Sequence, residues 1–183
     1  KWIDYRLEAI KRIKIEKVTN IDKIGDNMTN AESFGGIKAQ INEVEIESLD
    51  DSDSYSEITG GSIAKLRIKA KIQDKVCNPI VGFIVKNDKG LEVIGDNTGS
   101  IEINKEIELL KEGDILITEF VFTMPLLKEG EYSITASIAS GNIDRHTILH
   151  WINDALIIRS KCSSLSSGLA GIPMHSIKMN VEE

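Results

Sequence analysis

Three groupings in the sequence bring chemistry-bearing side chains close together. In LHWINDALIIRS, residues 149–160, Trp151 stands beside His150, Asn153 and Asp154. An indole flanked by polar groups at a strand end suits two roles, an anchor in the core or a stacking platform for a sugar ring. His146 and His150, with Asp144 nearby, offer donors for a metal. Four residues of strand span about 13 Å, whereas zinc holds its ligand nitrogens at about 2.0–2.1 Å. An extended segment therefore keeps the two imidazoles apart, and no metal site is expected. The stretch LDDSDSYSE, residues 49–57, offers Asp50, Asp51 and Asp53 but lacks the glycine and bidentate glutamate of an EF-hand. It reads as a solvated loop joining two strands.

A basic ladder, Lys65, Arg67, Lys69 and Lys71, suits an anionic ligand. The preceding segment carries Glu43, Glu45 and Glu47 on its own outer face. If the two segments pair, opposite charges meet across the strands, each pair adding a few tenths of a kcal/mol, and that pairing is expected. The sequence contains no G-x-S-x-G elbow, Walker loop, Rossmann fingerprint, H-E-x-x-H or paired Cys-x-x-Cys. Asp and Glu are plentiful, yet no spacing nominates two of them as a glycosidase pair. No catalytic residue, cofactor or enzymatic activity is expected.

The net charge of −7 and pI near 5.1 argue against nucleic acid or an anionic membrane as a bulk partner, because phosphate binding needs surplus Lys and Arg. No apolar run approaches the roughly 20 residues of a membrane span, and no signal peptide is visible. The first residue is Lys, as expected of a piece of a longer chain. Cys77 and Cys162, far apart in the sequence, read as free thiols in a reducing compartment, the cytosol.

The elements that must position these groups are strands. Residues 1–17 place Ile3, Leu7, Ile10 and Ile13 at helical spacing, which predicts a short amphipathic helix, and residues 18–35 read as an irregular connector. From residue 36 the period falls to two. Ile37, Ala39 and Ile41 alternate with polar residues and the pattern resumes at Val44, which implies a bulge near Asn42–Glu43. Ala64, Leu66, Ile68, Ala70 and Ile72 share one face of the next strand. Further strands are expected at 79–86, 90–95, 100–104, 149–160 and 175–180, and as a pair within GDILITEFVFTMPLLKEGEYSITASI, residues 113–138. Phe83, Phe120 and Phe122 belong to the core, and Tyr132, just after Gly130, resembles a tyrosine corner. Residues 161–174, rich in Ser and Gly, read as a flexible arm. The expected fold is all-β, an antiparallel β-sandwich of immunoglobulin-like or jelly-roll type with a short N-terminal helix. Its expected divisions are 1–32 (helix and connector), 33–160 (sandwich) and 161–183 (arm and C-terminal strand).

In order, SFGGIKAQINEVEI, PIVGFIVKNDKGLEVIGDNT, FTMPLLKEGEYSITASIASGN and HWINDALIIR resemble the C-terminal domain of Wzt-type ATP-binding subunits of O-antigen polysaccharide ABC exporters, over roughly residues 33–160. The most telling pieces are Val81-Gly82-Phe83 leading into Asn87-Asp88-Lys89-Gly90, then Asp96-Asn97-Thr98, then Leu127 with Gly130-Glu131-Tyr132. The resemblance implies a non-catalytic domain that binds the undecaprenyl-linked glycan at the inner face of the inner membrane. It also implies a homodimer, with an exchanged C-terminal strand, joined to an upstream nucleotide-binding domain and a membrane subunit. With Tyr132, Ile134, Ala136 and Ile138 inward, Ser133, Thr135 and Ser137 face out, which suits a hydroxyl-rich glycan and any solvated strand alike. The candidate contacts are Trp151 for stacking and Thr135, Ser137, Arg67 and His150 for hydrogen bonds. The alternative is a structural module that assembles through its edge strands and a swapped arm.

Overall fold

The structure, a computed structural model, describes residues 21–49, 60–100, 107–160 and 168–173, together with Met179 and Val181. Its strands in chain order are β1 (Ile21–Asp26), β2 (Ser33–Gly35), β3 (Ala39–Ser48), β4 (Ile63–Ile72), β5 (Val76–Cys77), β6 (Pro79–Asn87) and β7 (Glu92–Asn97). After a single 3-10 turn at Thr98–Ser100 come β8 (Leu109–Leu110), β9 (Ile115–Thr123), β10 (Leu126–Leu127), β11 (Gly130–Asn142), β12 (Arg145–Ser160) and β13 (Ala170–Gly171). The main sheet has the order β1-β12-β11-β6-β7, with β2 also pairing β12. The second has the order β3-β4-β9, and β3 packs over β12 and β11. The pairings are antiparallel throughout. This is the expected sandwich.

The alternation of the sequence explains the two layers. Along β4, Ala64, Leu66, Ile68, Ala70 and Ile72 are buried, while Lys65, Arg67, Lys69 and Lys71 point the other way. Ile134, Ala136 and Ile138 of β11 and Ile152, Leu156 and Ile158 of β12 face them from the main sheet. Phe83 packs edge-on against Phe120 at 5.0 Å and nearly parallel to Phe122 at 5.7 Å, which joins β6 to β9 across the core. The expected bulge in β3 is present, because Ile41 pairs Ala70 but Glu43 pairs Lys69. The extra residue, Asn42, lets both Ile41 and Val44 stay in the core. On the solvent side Glu43, Glu45 and Glu47 lie opposite Lys69, Arg67 and Lys65, as the charge pattern predicts.

Two readings of the sequence need correction. Residues 21–26 and 33–35, expected as connector, are strands β1 and β2 on the outer edge of β12, so the main sheet begins before residue 33. Their apolar content is too low for a periodic signal. They are held by backbone pairing to a long neighbour, β12. Part of the expected flexible arm is also tied down, with Ala170–Gly171 pairing Leu126–Leu127. The helix expected over 1–17, all but the first residue of the loop expected over 49–57 and of the strand expected over 100–104, and most of 174–183, including 175–178, lie outside the described residues.

The Tyr132 hydroxyl donates to the Lys128 carbonyl at 3.0 Å, the corner expected from the sequence. Burial pushes its pKa up, so the phenol stays protonated and keeps its donor role. Tyr132→Phe should lower the unfolding free energy by about 1 kcal/mol, measured by urea titration, with the slope against urea unchanged.

Candidate functional site

The outer face of the main sheet carries a row of directly paired residues across five strands. Phe34 of β2 pairs Trp151 of β12, Trp151 pairs Ser137 of β11, Ser137 pairs Gly82 of β6, and Gly82 pairs Asn97 of β7. Lacking a side chain, Gly82 leaves a depression in the middle. A Cβ there would lie 3.1 Å from the Asn97 Cβ and 3.3 Å from the Asp96 carbonyl oxygen. The result is a shallow groove of about 310 Å³, with Trp151 at one end and Asn97 at the other. Ile80, Ile84 and Ile148 line it alongside Ser137 and His146.

Trp151 is fixed from two directions. Its indole N–H donates to the Asn153 side-chain oxygen at 2.9 Å, and the Lys86 ammonium approaches the same oxygen at 3.5 Å. With the N–H engaged, the ring has its π-face to offer. Phe34, more than half exposed, stacks on Trp151 with ring centroids 6.2 Å apart and planes 13° apart. The paired glycines after Phe34 make this approach possible. Gly35 has φ +86°, and a Cβ on it would sit 2.1 Å from the Leu149 carbonyl oxygen. The Gly36 amide donates to that same carbonyl at 2.8 Å.

Hydrogen-bonding capacity is left over in the groove. Among the described residues, no group bonds the Ser137 hydroxyl. The Asn97 carbonyl oxygen accepts from the Gly99 amide at 2.9 Å, which fixes the side chain and leaves its NH₂ to donate. His146 Nδ1 is 3.2 Å from the Ile143 carbonyl, so as donor there it keeps Nε2 as an acceptor. Beyond Asn153 the same face continues into a polar trough of about 520 Å³, where Lys86, Ser133 and Asp154 lie.

Of the five candidates from the sequence, the structure brings Trp151 and Ser137 together and separates the other three. His150 faces the core and is 5% exposed, and its Nδ1 accepts from the Ile41 amide at 3.0 Å. Neighbours on a strand point to opposite faces, so Trp151 and His150 cannot serve one surface ligand. Thr135 shares the strand face of Ser137 but is buried, because β12 places Asn153, Asp154 and Ala155 opposite it as a two-residue bulge. Asp154 takes φ +52° there, and Asn27 holds the bulge by donating to the Asp154 and Ala155 carbonyls. Among the described residues, the Thr135 hydroxyl has no hydrogen-bond partner. Arg67 lies on the opposite side of the sandwich, with its guanidinium 3.2 Å from Glu43. His150 and Thr135 are thus inaccessible to a polymer on this face, and Arg67 is on the other sheet. Phe34, Gly82 and Asn97, which the structure adds to this candidate groove, were not singled out as contacts by the sequence. Only the glycine pair after Phe34 signalled an unusual backbone there.

Among the described residues, no three His, Cys, Asp or Glu side chains are placed to share a metal, and no helix is long and apolar enough to cross a membrane. Cys77 is an exposed free thiol, and Cys162 lies outside the described residues.

The model of the Wzt C-terminal domain matches residues 30–172, which takes in the groove and both sheets. The chain belongs to the Wzt C-terminal domain family. A solved structure described as the C-terminal domain of Wzt superposes with a TM-score of 0.68 at 20% identity, covering 86% of this chain and 98% of that one. It shares the sandwich fold. A second, chicken MD-1 complexed with lipid IVa, matches at a TM-score of 0.37 and 13% identity, over 78% of this chain and 98% of that one. No relative was found among curated proteins. The family is one of non-catalytic binding domains, and membership supports a carbohydrate-binding role in polysaccharide export.

The burial of His150 has a consequence for stability. Burial disfavours the charged imidazolium and pulls its pKa below the usual 6.5, and the neutral ring is the form that can accept from Ile41. The unfolded chain binds the proton more readily, so the contribution is complete above pH 6.5 and shrinks as pH falls below it. His150→Leu should cost about 1–3 kcal/mol at pH 7.5, by leaving the Ile41 amide unpaired. In thermal melts, the gap between parent and variant should narrow from pH 7 to pH 5.

Proposed function

We propose that this domain binds O-antigen polysaccharide on the outer face of the main sheet, with Trp151 as the stacking platform and Ser137 and Asn97 as hydrogen-bonding groups. The observation that carries this reading is the paired row Phe34–Trp151–Ser137–Gly82–Asn97 in a chain of this family. Sugar rings present C–H faces to aromatics and hydroxyls at their rims, and a groove with an indole at one end and unengaged polar groups at the other offers partners for both. The groove is open and shallow, as a polymer requires. Binding precedes export, with the domain in the cytoplasm at the inner face of the inner membrane, as a homodimer joined to an ATP-binding domain and a membrane subunit. The segment after residue 161 is the candidate for exchange between protomers.

A second reading, assembly through sheet edges, draws on β9. Among the described residues it is an edge strand, and its outward Ile115, Ile117 and Val121 are each close to half exposed or more. Size-exclusion chromatography of Val121→Lys beside the parent separates assembly from glycan binding.

Titration calorimetry with O-polysaccharide from the source organism tests the proposal. Trp151→Ala should weaken binding by about 1–3 kcal/mol, the scale of a lost aromatic stack and its buried area. Arg67→Ala, on the other sheet, should leave it unchanged. Full binding by Trp151→Ala, or none by the parent, would remove the proposal.

A further inference from the structure

The groove at Trp151 is one of two depressions on the same face, and the strands carry one into the other. On β6 the outward residues run Gly82, Ile84, Lys86, on β11 they run Ser137, Thr135, Ser133, and on β12 Trp151 is followed by Asn153. The first member of each series lines the groove, and the last lines the polar trough of about 520 Å³. Between them lie Ile84 and the buried Thr135, which offer no accessible hydrogen-bonding group. From Ser137 to Ser133 the strand advances about 13 Å, farther than one pyranose ring reaches. Groove and trough are therefore successive stations on one strip. They meet at Asn153, whose side-chain oxygen takes the Trp151 N–H and faces the Lys86 ammonium.

The groups in the trough suit hydroxyls. Among the described residues, no group bonds the Ser133 hydroxyl or the Asp154 carboxylate, and the Asn153 NH₂ is left to donate. Asp154 takes φ +52° in the bulge, and Asn27 fastens that backbone through the Asp154 and Ala155 carbonyls, so the carboxylate is presented by a held turn. Of the other charges there, Glu131 is paired with Arg159, whereas Glu32 and Asp88 set further negative charge against Lys86. An acidic sugar is repelled, while a neutral one meets acceptors and donors side by side. We infer that the trough is a second subsite, holding an uncharged sugar further along the same glycan, its hydroxyls donating to Asp154 and accepting from Ser133 and Asn153. This rests on the glycan-binding reading above, and adds that the domain grips a run of sugars instead of a single ring.

The test uses fragments of O-polysaccharide from the source organism, graded by length from a single sugar upward. They are titrated into the full chain and followed by Trp151 indole and backbone amide shifts. Affinity should rise about tenfold or more once a fragment is long enough to reach the trough, the scale of one hydrogen bond to a charged group. The Ser133, Asn153 and Asp154 amides should shift with those longer fragments only. Ser133→Ala combined with Asp154→Asn, asparagine being at ease at positive φ, should remove the gain and leave short fragments bound as in the parent. The shifts are read on the parent protein, so the test stands even if that variant fails to fold. The gain should also persist from about 0.05 to 0.5 M sodium chloride, and its loss in salt overturns the uncharged assignment. Equal affinity at every length, a gain that the double variant keeps, or shifts confined to the Trp151 row overturns the second subsite while leaving Trp151-dependent binding intact. Failure of every fragment and of the polysaccharide to bind overturns the glycan reading itself, and this inference with it.

Discussion

The pleat of β12 is the constraint on which the rest depends. Consecutive residues of a strand face opposite ways, and here the consecutive pair is His150 and Trp151. His150 goes inward, where its Nδ1 accepts from the Ile41 amide on β3, an edge strand of the other sheet. Trp151 goes outward into the groove. The buried imidazole thus ties the two layers at the point where the indole is presented. A one-residue slip of β12 would put the indole into the core and the imidazole into water.

Several local devices hold that register. The Ser160 hydroxyl donates to the Leu127 carbonyl at the buried end of β12, and Arg159 pairs with Glu131 across the sheet. The bulge at 153–155 takes up two extra residues, yet its carbonyls are met by Asn27 and the Asn153 amide donates to the Glu32 carbonyl. Because the bulge is fastened to the segment between β1 and β2, it also sets Asn153, whose side chain clamps the Trp151 N–H. The groove is therefore built on paired backbone rather than on a long loop, and its shape is largely pre-formed, which limits the ordering cost of binding.

The sheets were legible in the sequence wherever one face is buried and the other wet. β4 alternates without interruption, and β3 does so with one skipped step, which is why even its bulge could be located at Asn42–Glu43. The tyrosine corner followed from Gly130 and Tyr132 for the same kind of local reason. β1 and β2 escaped because short edge strands hold by backbone pairing, which leaves little pattern in side chains. The candidate groove was only partly legible. Trp151 stood out by type and Ser137 by parity, but Thr135 has the same parity and is buried by a bulge on its neighbour strand. His150, although next to Trp151 in sequence, faces the core because neighbours on a strand point to opposite faces. Phe34, Gly82 and Asn97 join the row only through pairings between strands distant in sequence, which a single sequence does not reveal.

The central claim is that one face of one sheet, across five strands, meets the glycan. Amide chemical-shift mapping of the isotope-labelled protein with a fragment of the O-polysaccharide tests it most directly. The account predicts perturbations concentrated at Phe34, Gly82, Asn97, Ser137 and the Trp151 indole, with the outer face of β4 and β9 silent. Perturbations clustered instead around Arg67, Lys69 and Ile117, with the Trp151 row unmoved, would contradict it.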